Sequence, residues 1–250
     1  IESRDIIIAT MDSAGRVKDF SRSGDCSALI FPGEYLVVST DQNWMKRIYP
    51  EMPFENLIIR KDLPAFINSG GGVRVLNSQQ LIIDEIFYDP DWHNQRIADL
   101  QGVSLERLSF TVSGLERSNW YSSAALNAYA SPGCKNSQML HSFNEETDAI
   151  WLENSVFTPD QDGFQDLAIV HFTMRQRGYS ARFEVRDPAG LLIRKIQDWN
   201  LIPIQGQFIW DGLDEDGRPV NTGIYILLLT YQHPEEHAGR WKKAVALRNN

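Results

Sequence analysis

The stretch Gln207-Phe208-Ile209-Trp210-Asp211-Gly212-Leu213-Asp214-Glu215-Asp216-Gly217-Arg218-Pro219-Val220, closed by Gly223-Ile224-Tyr225, decides the fold. Gln207 to Trp210 reads as a strand ending on a tryptophan large enough to fill a core. Asp211-Gly212 then makes a tight turn, because glycine takes the positive φ that such turns need. Gly223 opens the run Ile224 to Tyr231, apolar almost throughout and bounded by turn residues, which is the signature of a buried strand. Tyr225 is placed like a corner tyrosine, one that returns its hydroxyl to the backbone.

Outward from that stretch the same rhythm continues in both directions. Leu167 to Phe172 and Ala181 to Val185 read as strands, the turn Asp187-Pro188-Ala189-Gly190 leads into Leu191 to Ile196, and Lys243 to Leu247 reads as the last strand. That is six or seven strands in about 105 residues, the size of one β-sandwich. Towards the N-terminus, Asp5 to Thr10 and Glu34 to Ser39 read as strands, as do Val73 to Leu76 after Gly70-Gly71-Gly72 and Leu81 to Ile86. Asn43 to Tyr49 is the one plausible helix, with Asp41 as N-cap and Pro50 ending it. The polar, acidic composition around Asn144 to Asp148 marks a linker at 141–149. The reading is therefore all-β, with one domain over 1–140 and another over 150–250.

Bulk numbers narrow the function classes. The chain has 250 residues, 42% hydrophobic and 23% charged, enough for packed cores. Its net charge of −9, with 24 basic residues scattered singly or in pairs, excludes phosphate-backbone recognition as the expected role, so no nucleic-acid partner is predicted. The longest strand-like apolar run, Ile224 to Leu229, falls far short of the roughly 20 residues that span a bilayer, so no membrane insertion is predicted either. Cys26 and Cys134 are read as two small buried apolar residues, with a disulfide between them as the alternative.

Two resemblances follow. The first half resembles the lamin tail domain, an immunoglobulin-like sandwich of nuclear lamins and exported bacterial proteins. Four groups carry this: Phe31-Pro32-Gly33-Glu34-Tyr35-Leu36-Val37-Val38; Asn68 to Leu76; Leu81 to Tyr88; and Gly102 to Arg107 with Asn119-Trp120 and Ser131-Pro132-Gly133-Cys134-Lys135-Asn136. The family's opening strands, with an Asn-Glu pair, have no counterpart before Asp5: either the chain was cut inside the domain or another segment replaces them, and an incomplete sandwich would leave an open edge that invites pairing with another chain. The second half resembles the immunoglobulin-like domain of flagellar hook-capping proteins. Phe157-Thr158-Pro159-Asp160-Gln161-Asp162-Gly163-Phe164-Gln165-Asp166 is similar to that family's opening motif, and Trp210-Asp211-Gly212 with Gly223-Ile224-Tyr225 to its closing one. Together they imply two tandem immunoglobulin-like β-sandwiches from an exported protein placed at the cell surface, in the periplasm or in the medium.

Candidate chemistry is sparse. Asp160, Asp162 and Asp166 put three carboxylates within seven residues, a candidate calcium loop. The spacing departs from the EF-hand pattern, and aspartates in a turn also bond loop amides, so a hydrogen-bonded turn is the competing reading. Asp214, Glu215 and Asp216 are read as a solvated hairpin end. The histidines are His93, His141, His171, His233 and His237. His93 is expected to be exposed or capping, and His233 with His237 to lie in a solvated loop. No nucleophile elbow or phosphate loop occurs, and Gly70-Gly71-Gly72 leads into a strand where a phosphate loop leads into a helix. No enzyme is therefore predicted, no cofactor beyond the calcium candidate, and the chain is expected to be a monomer. The expected function is binding or scaffolding at the envelope, towards a protein or carbohydrate partner, for adhesion, spacing or anchoring. Carbohydrate-binding modules of a secreted hydrolase are one alternative, with Trp44, Trp92 and Trp120 as candidate platform residues, each read first as core. A ligand-free spacer or secretion-sorting module is the other.

Overall fold

The computed structural model describes residues 2–21, 29–139, 149–160, 162–235 and 238–248. The chain divides into two compact units: Ile1–Ser123 with Asn127–Met139, and Ala124–Leu126 with Leu140–Asn250. The predicted linker lies outside the described residues except for Ala149.

In the first unit β1 (Ile7–Met11), β2 (Val17–Ser21), β3 (Val37–Ser39), helix α1 (Gln42–Ile48), β4 (Leu57–Ile59), β5 (Gly71–Leu76), β6 (Ile82–Tyr88), β7 (Leu105–Arg107) and β8 (Trp120–Ser122) follow in order. The helix forms where predicted: the Asp41 side chain accepts from the amides of Asn43 and Trp44, satisfying donors that have no intrahelical partner. A four-stranded antiparallel sheet runs β2-β1-β5-β6, β3 pairs in parallel with β4, and β7 pairs antiparallel with β8. The second, third and fourth of the family-like groups in this half include β5, β6 and β7 and the first residue of β8. Glu34 to Leu36, expected as strand, is not, and β3 keeps only three residues.

The second unit comprises β9 (Ala149–Leu152), β10 (Val156–Phe157), β11 (Ala168–Thr173), β12 (Ser180–Arg186), β13 (Leu192–Leu201), β14 (Gln205–Trp210), β15 (Gly223–Gln232) and β16 (Gly239–Leu247). They form a five-stranded sheet, β10-β16-β15-β12-β13, and a three-stranded sheet, β14-β11-β9. The opening segment thus serves both sheets, β9 antiparallel to β11 and β10 parallel to β16. Buried residues alternate along most of β11 and β15, and the apolar ones of β12, Ala181, Phe183 and Val185, do the same, so each sheet turns an apolar face inward. Trp210 is fully buried between Phe157 and Tyr225, with ring centroids 5.3 and 5.0 Å away, and its indole N–H donates to the Leu213 carbonyl at 2.9 Å. Gly212 has φ +79, and a Cβ there would lie 2.9 Å from Leu247 and 3.0 Å from Pro159. The turn after Trp210 therefore needs glycine twice over, for conformation and for room. The Tyr225 hydroxyl donates to the Asn221 carbonyl at 2.7 Å, as a corner tyrosine does.

Three expectations are corrected. Cys134 is exposed and free, because it follows the Pro132-Gly133 turn at the surface and not a strand facing inward; Cys26 lies outside the described residues. Trp44 is exposed, on the outer side of α1 against Tyr49, while Met45 points inward. The 214–216 loop is more than a solvated end. Glu215 accepts from the Lys195 amide (2.9 Å) and donates its own amide to the Ile193 carbonyl (3.1 Å), which covers part of the free edge of β13.

Candidate functional site

The functional residues of the first unit are placed by three segments distant in sequence. Across β7 and β8, Leu105 pairs with Ser122 and Arg107 with Trp120, so these four share a face, and Glu106 with Tyr121 takes the other. On its outer side Glu106, nearly fully buried, accepts from the hydroxyls of Ser123 (2.9 Å), Ser137 (2.6 Å) and Ser131 and from the amide of Gln138 (3.3 Å). This staples the 131–138 segment to β7. Asn136 adds a bond from its side-chain amide to the Arg107 carbonyl at 2.9 Å. Buried Asn119 bonds the backbone of Ser109 and Val112, which shapes the 109–114 loop. The loop presses on β6 so closely that a Cβ on Gly114 would sit 2.5 Å from the Glu85 carbonyl oxygen. Residues the sequence reading grouped as one closing signature are therefore joined by direct bonds.

The inner side of β7 and β8 looks across at β6, whose Asp84, Ile86 and Tyr88 share a face. At one end the gap is bridged by an ion pair between Arg107 and Asp84. At the other it stays open, as a cavity of about 780 Å³. Val73, Ile86 and Leu105 give it an apolar floor, and Tyr88 and Trp120 supply aromatic walls. Both rings are fixed through their polar atoms, the Tyr88 hydroxyl on the Ile67 carbonyl (2.9 Å) and the Trp120 indole N–H on the Gly114 carbonyl (2.8 Å).

His93, Asp89 and Asp99 are among the other lining residues. Of the two expectations for His93, exposed or capping, the second holds: it is half-buried and closes the Pro90–Trp92 turn through its amide on the Pro90 carbonyl (3.1 Å), and burial pushes its imidazole below the ordinary value. Its Nδ1 lies 3.0 Å from the Ser122 hydroxyl, which also accepts from the Asn94 amide at 2.8 Å. Ser122 itself is fully buried, so its oxygen is closed to a substrate. Asp89 caps the Pro90–Trp92 turn by accepting from the Asp91 amide (2.9 Å), and Asp99 accepts from the Gln101 amide (2.9 Å). Sequence reasoning passed over both aspartates, since each looks like an ordinary turn former; their shared cavity depends on contacts across the fold. Trp120, a residue of the family-like closing signature and a candidate platform or core residue, is half-buried on the cavity, and Trp92 is half-buried beside the cavity's turn.

The acidic loop of the second unit brings its three carboxylates close together. Ligand atoms of Asp160, Asp162 and Asp166 lie within 4.8 Å of one another. Asp162 also accepts from the Phe164 amide (2.7 Å), Asp166 from the Gly163 amide (2.8 Å) and Asp160 from the Asp162 amide (3.3 Å). The geometry accommodates a cation and builds the hydrogen-bonded turn as well. His233 is half-buried against Tyr179 (centroids 5.1 Å) and within 3.1 Å of the Arg177 carbonyl, not in a solvated loop, while His237 and His141 lie outside the described residues. His171 stacks on Trp151 (5.1 Å) and meets Glu153 at 2.7 Å on the outer face of the three-stranded sheet.

No protein-family model and no curated protein matches the chain. Among solved structures it is similar to FlgD from P. aeruginosa (16% identity, 32% of this chain and 62% of that one, TM-score 0.27). FlgD from Xanthomonas campestris, studied for hook capping in flagellar assembly, gives 20% identity over 32% of this chain and 58% of that one, TM-score 0.27. PorZ, a surface component of the type-IX secretion system of Porphyromonas gingivalis, gives 13% identity over 75% of this chain and 22% of that one, TM-score 0.28. The chain thus spans less than two thirds of each of these proteins. Superpositions at this level transfer no function. No helix among the described residues is long and apolar enough to cross a membrane.

Proposed function

We propose that this chain is a non-catalytic binding and scaffolding region of an exported protein, working at the cell envelope. In this reading the first unit holds a partner in its cavity and the second serves as a packed spacer or anchor. The observation that carries it is the cavity between β6 and the β7–β8 pair: it is large enough for a ligand group, its rings are held rigid, and its Ser122–His93 pair has the serine oxygen sealed. A pocket with fixed walls and its neighbouring serine sealed suits recognition better than turnover. The lamin-tail and hook-capping resemblances of the two halves, two sandwiches joined over 141–149, fit this role.

The test is protease shaving of intact cells that make the protein in its natural host, with released peptides identified by mass spectrometry. Peptides from both units released before lysis place the pair outside and support capture of an external partner. Release only after the outer membrane is opened supports a periplasmic scaffold. Recovery from the cytosolic fraction alone contradicts the proposal.

A further inference from the structure

We infer that the cavity of the first unit takes a cationic group carried on an apolar stem, a primary ammonium or a guanidinium. This rests on the binding reading above and names its ligand class. Among the residues lining the cavity are two carboxylates, Asp89 and Asp99, and neither lysine nor arginine. Each aspartate spends one oxygen on a turn amide, and the other makes no hydrogen bond to a described residue. Two guanidinium groups near this lining are committed elsewhere: that of Arg107 to Asp84 and to the carbonyls of Ser109 and Val112 at the far end of the gap, and that of Arg117 to the Asp91 carbonyl at 3.0 Å. The free negative charge at the mouth is thus uncompensated from within the cavity.

The walls suit the same ligand. Tyr88 and Trp120 line the cavity with their polar atoms tied elsewhere, and an aromatic face attracts a cation within about 6 Å. Below them Val73, Ile86 and Leu105 would bury a methylene stem, which long cationic side chains use to cover apolar surface. His93 adds no opposing charge near neutral pH, since burial keeps it in the neutral form. An anion would meet two carboxylates there. A neutral ligand would leave their charge unused.

The shared chemistry has two sources, a free organic amine or guanidine and the side chain of lysine or arginine in a partner polypeptide. The experiment titrates the intact chain with n-butylguanidinium and n-butylammonium while following the Trp120 indole N–H by NMR. Neutral n-butylurea and glucose are controls. We expect saturable shifts with both cations, weakened by salt, and little response to the neutral probes. Asp89→Asn and Asp99→Asn keep the turn acceptors and remove only charge, so the variants stay folded by their amide spectra. The double variant should bind about tenfold more weakly, the scale expected for two exposed carboxylates. An arginine peptide that competes with butylguanidinium, where its citrulline counterpart does not, identifies a polypeptide source; tighter binding of the free amine identifies the other.

Shifts produced equally by butylurea or glucose overturn the cationic assignment and leave the binding reading standing. Cation binding unchanged in the double variant overturns it as well. A cavity silent to every probe overturns the assignment and the binding reading together, whatever the shaving experiment places outside the cell.

Discussion

Trp210 and Glu106 are both almost fully buried, yet they hold their units together by opposite means. Trp210 belongs to a continuous apolar core that includes Phe157, Phe172, Phe183, Phe208, Leu227 and Leu229, with Phe208 stacked at 4.9 Å on both Phe172 and Phe183. The space between the two sheets is filled by rings. Glu106 sits instead among hydroxyls and an amide, and the space on the other side of its strand is only half filled. The first unit combines a few buried apolar side chains, Met11, Met45, Met52 and Leu108 among them, with a buried polar cluster and an open cavity; the second fills its interior with apolar side chains. Packing of apolar area is tolerant and strong, whereas a buried polar cluster fails steeply when one member is removed. An open interior is also what gives a ligand somewhere to go.

The largest effect should come from the packed side. Trp210→Ala removes the ring between Phe157 and Tyr225 and orphans the Leu213 carbonyl, and it should cost the second unit about 3–5 kcal/mol. Urea unfolding followed separately through residues of each unit checks this, and an equal loss in both units would erase the contrast drawn here. Glu106→Ala should come next, at about 3 kcal/mol in the first unit alone, because it leaves buried hydroxyls without an acceptor. Glu106→Gln, which keeps an acceptor, should recover roughly half of that.

These positions were unequally legible in sequence. The Trp210 turn and the Tyr225 strand could be read because their determinants are local: a glycine with positive φ, an apolar run, a tyrosine four residues after its acceptor. Helix α1 was legible for the same reason, through Asp41. The parallel pairing of Val37–Ser39 with Leu57–Ile59 was not, since nothing within either short segment announces a partner across a helix. β13 runs on to Leu201, past the expected end at Ile196, because bulges and a positive φ at Trp199 let a polar, irregular stretch keep pairing with β12. Asp89 and Asp99 carried only turn signals, and the cavity they share arises from β5, β6, β7 and β8 meeting in space. The acidic loop, by contrast, was visible residue by residue, since its three aspartates are neighbours in the chain.

Acidity should separate the units more gently. The folded first unit keeps His93 neutral below the ordinary imidazole value of 6.5, where the unfolded chain already binds a proton. The unfolded state then holds more protons, so stability falls as pH drops through about 6.5 and is fully present above it. Melting curves of the first unit over that window should slope downward with acid, and His93→Gln should flatten them; a slope unchanged in the variant removes His93 as its cause. The smallest effect concerns the 160–166 loop. Read as a hydrogen-bonded turn, it should give the same melting temperature for the second unit in millimolar calcium and in chelator. A rise of several degrees that Asp160→Asn and Asp162→Asn abolish would make it a calcium site.

Amide hydrogen exchange across the intact chain tests the contrast most directly. The account expects β11, β12 and β15 to exchange only with global opening of the second unit, and β5, β6 and β7 to exchange at least about tenfold faster, slowed when butylguanidinium fills the cavity. Equal protection of the two groups, unmoved by that probe, would mean that the first unit is packed as tightly as the second and has no room for a ligand.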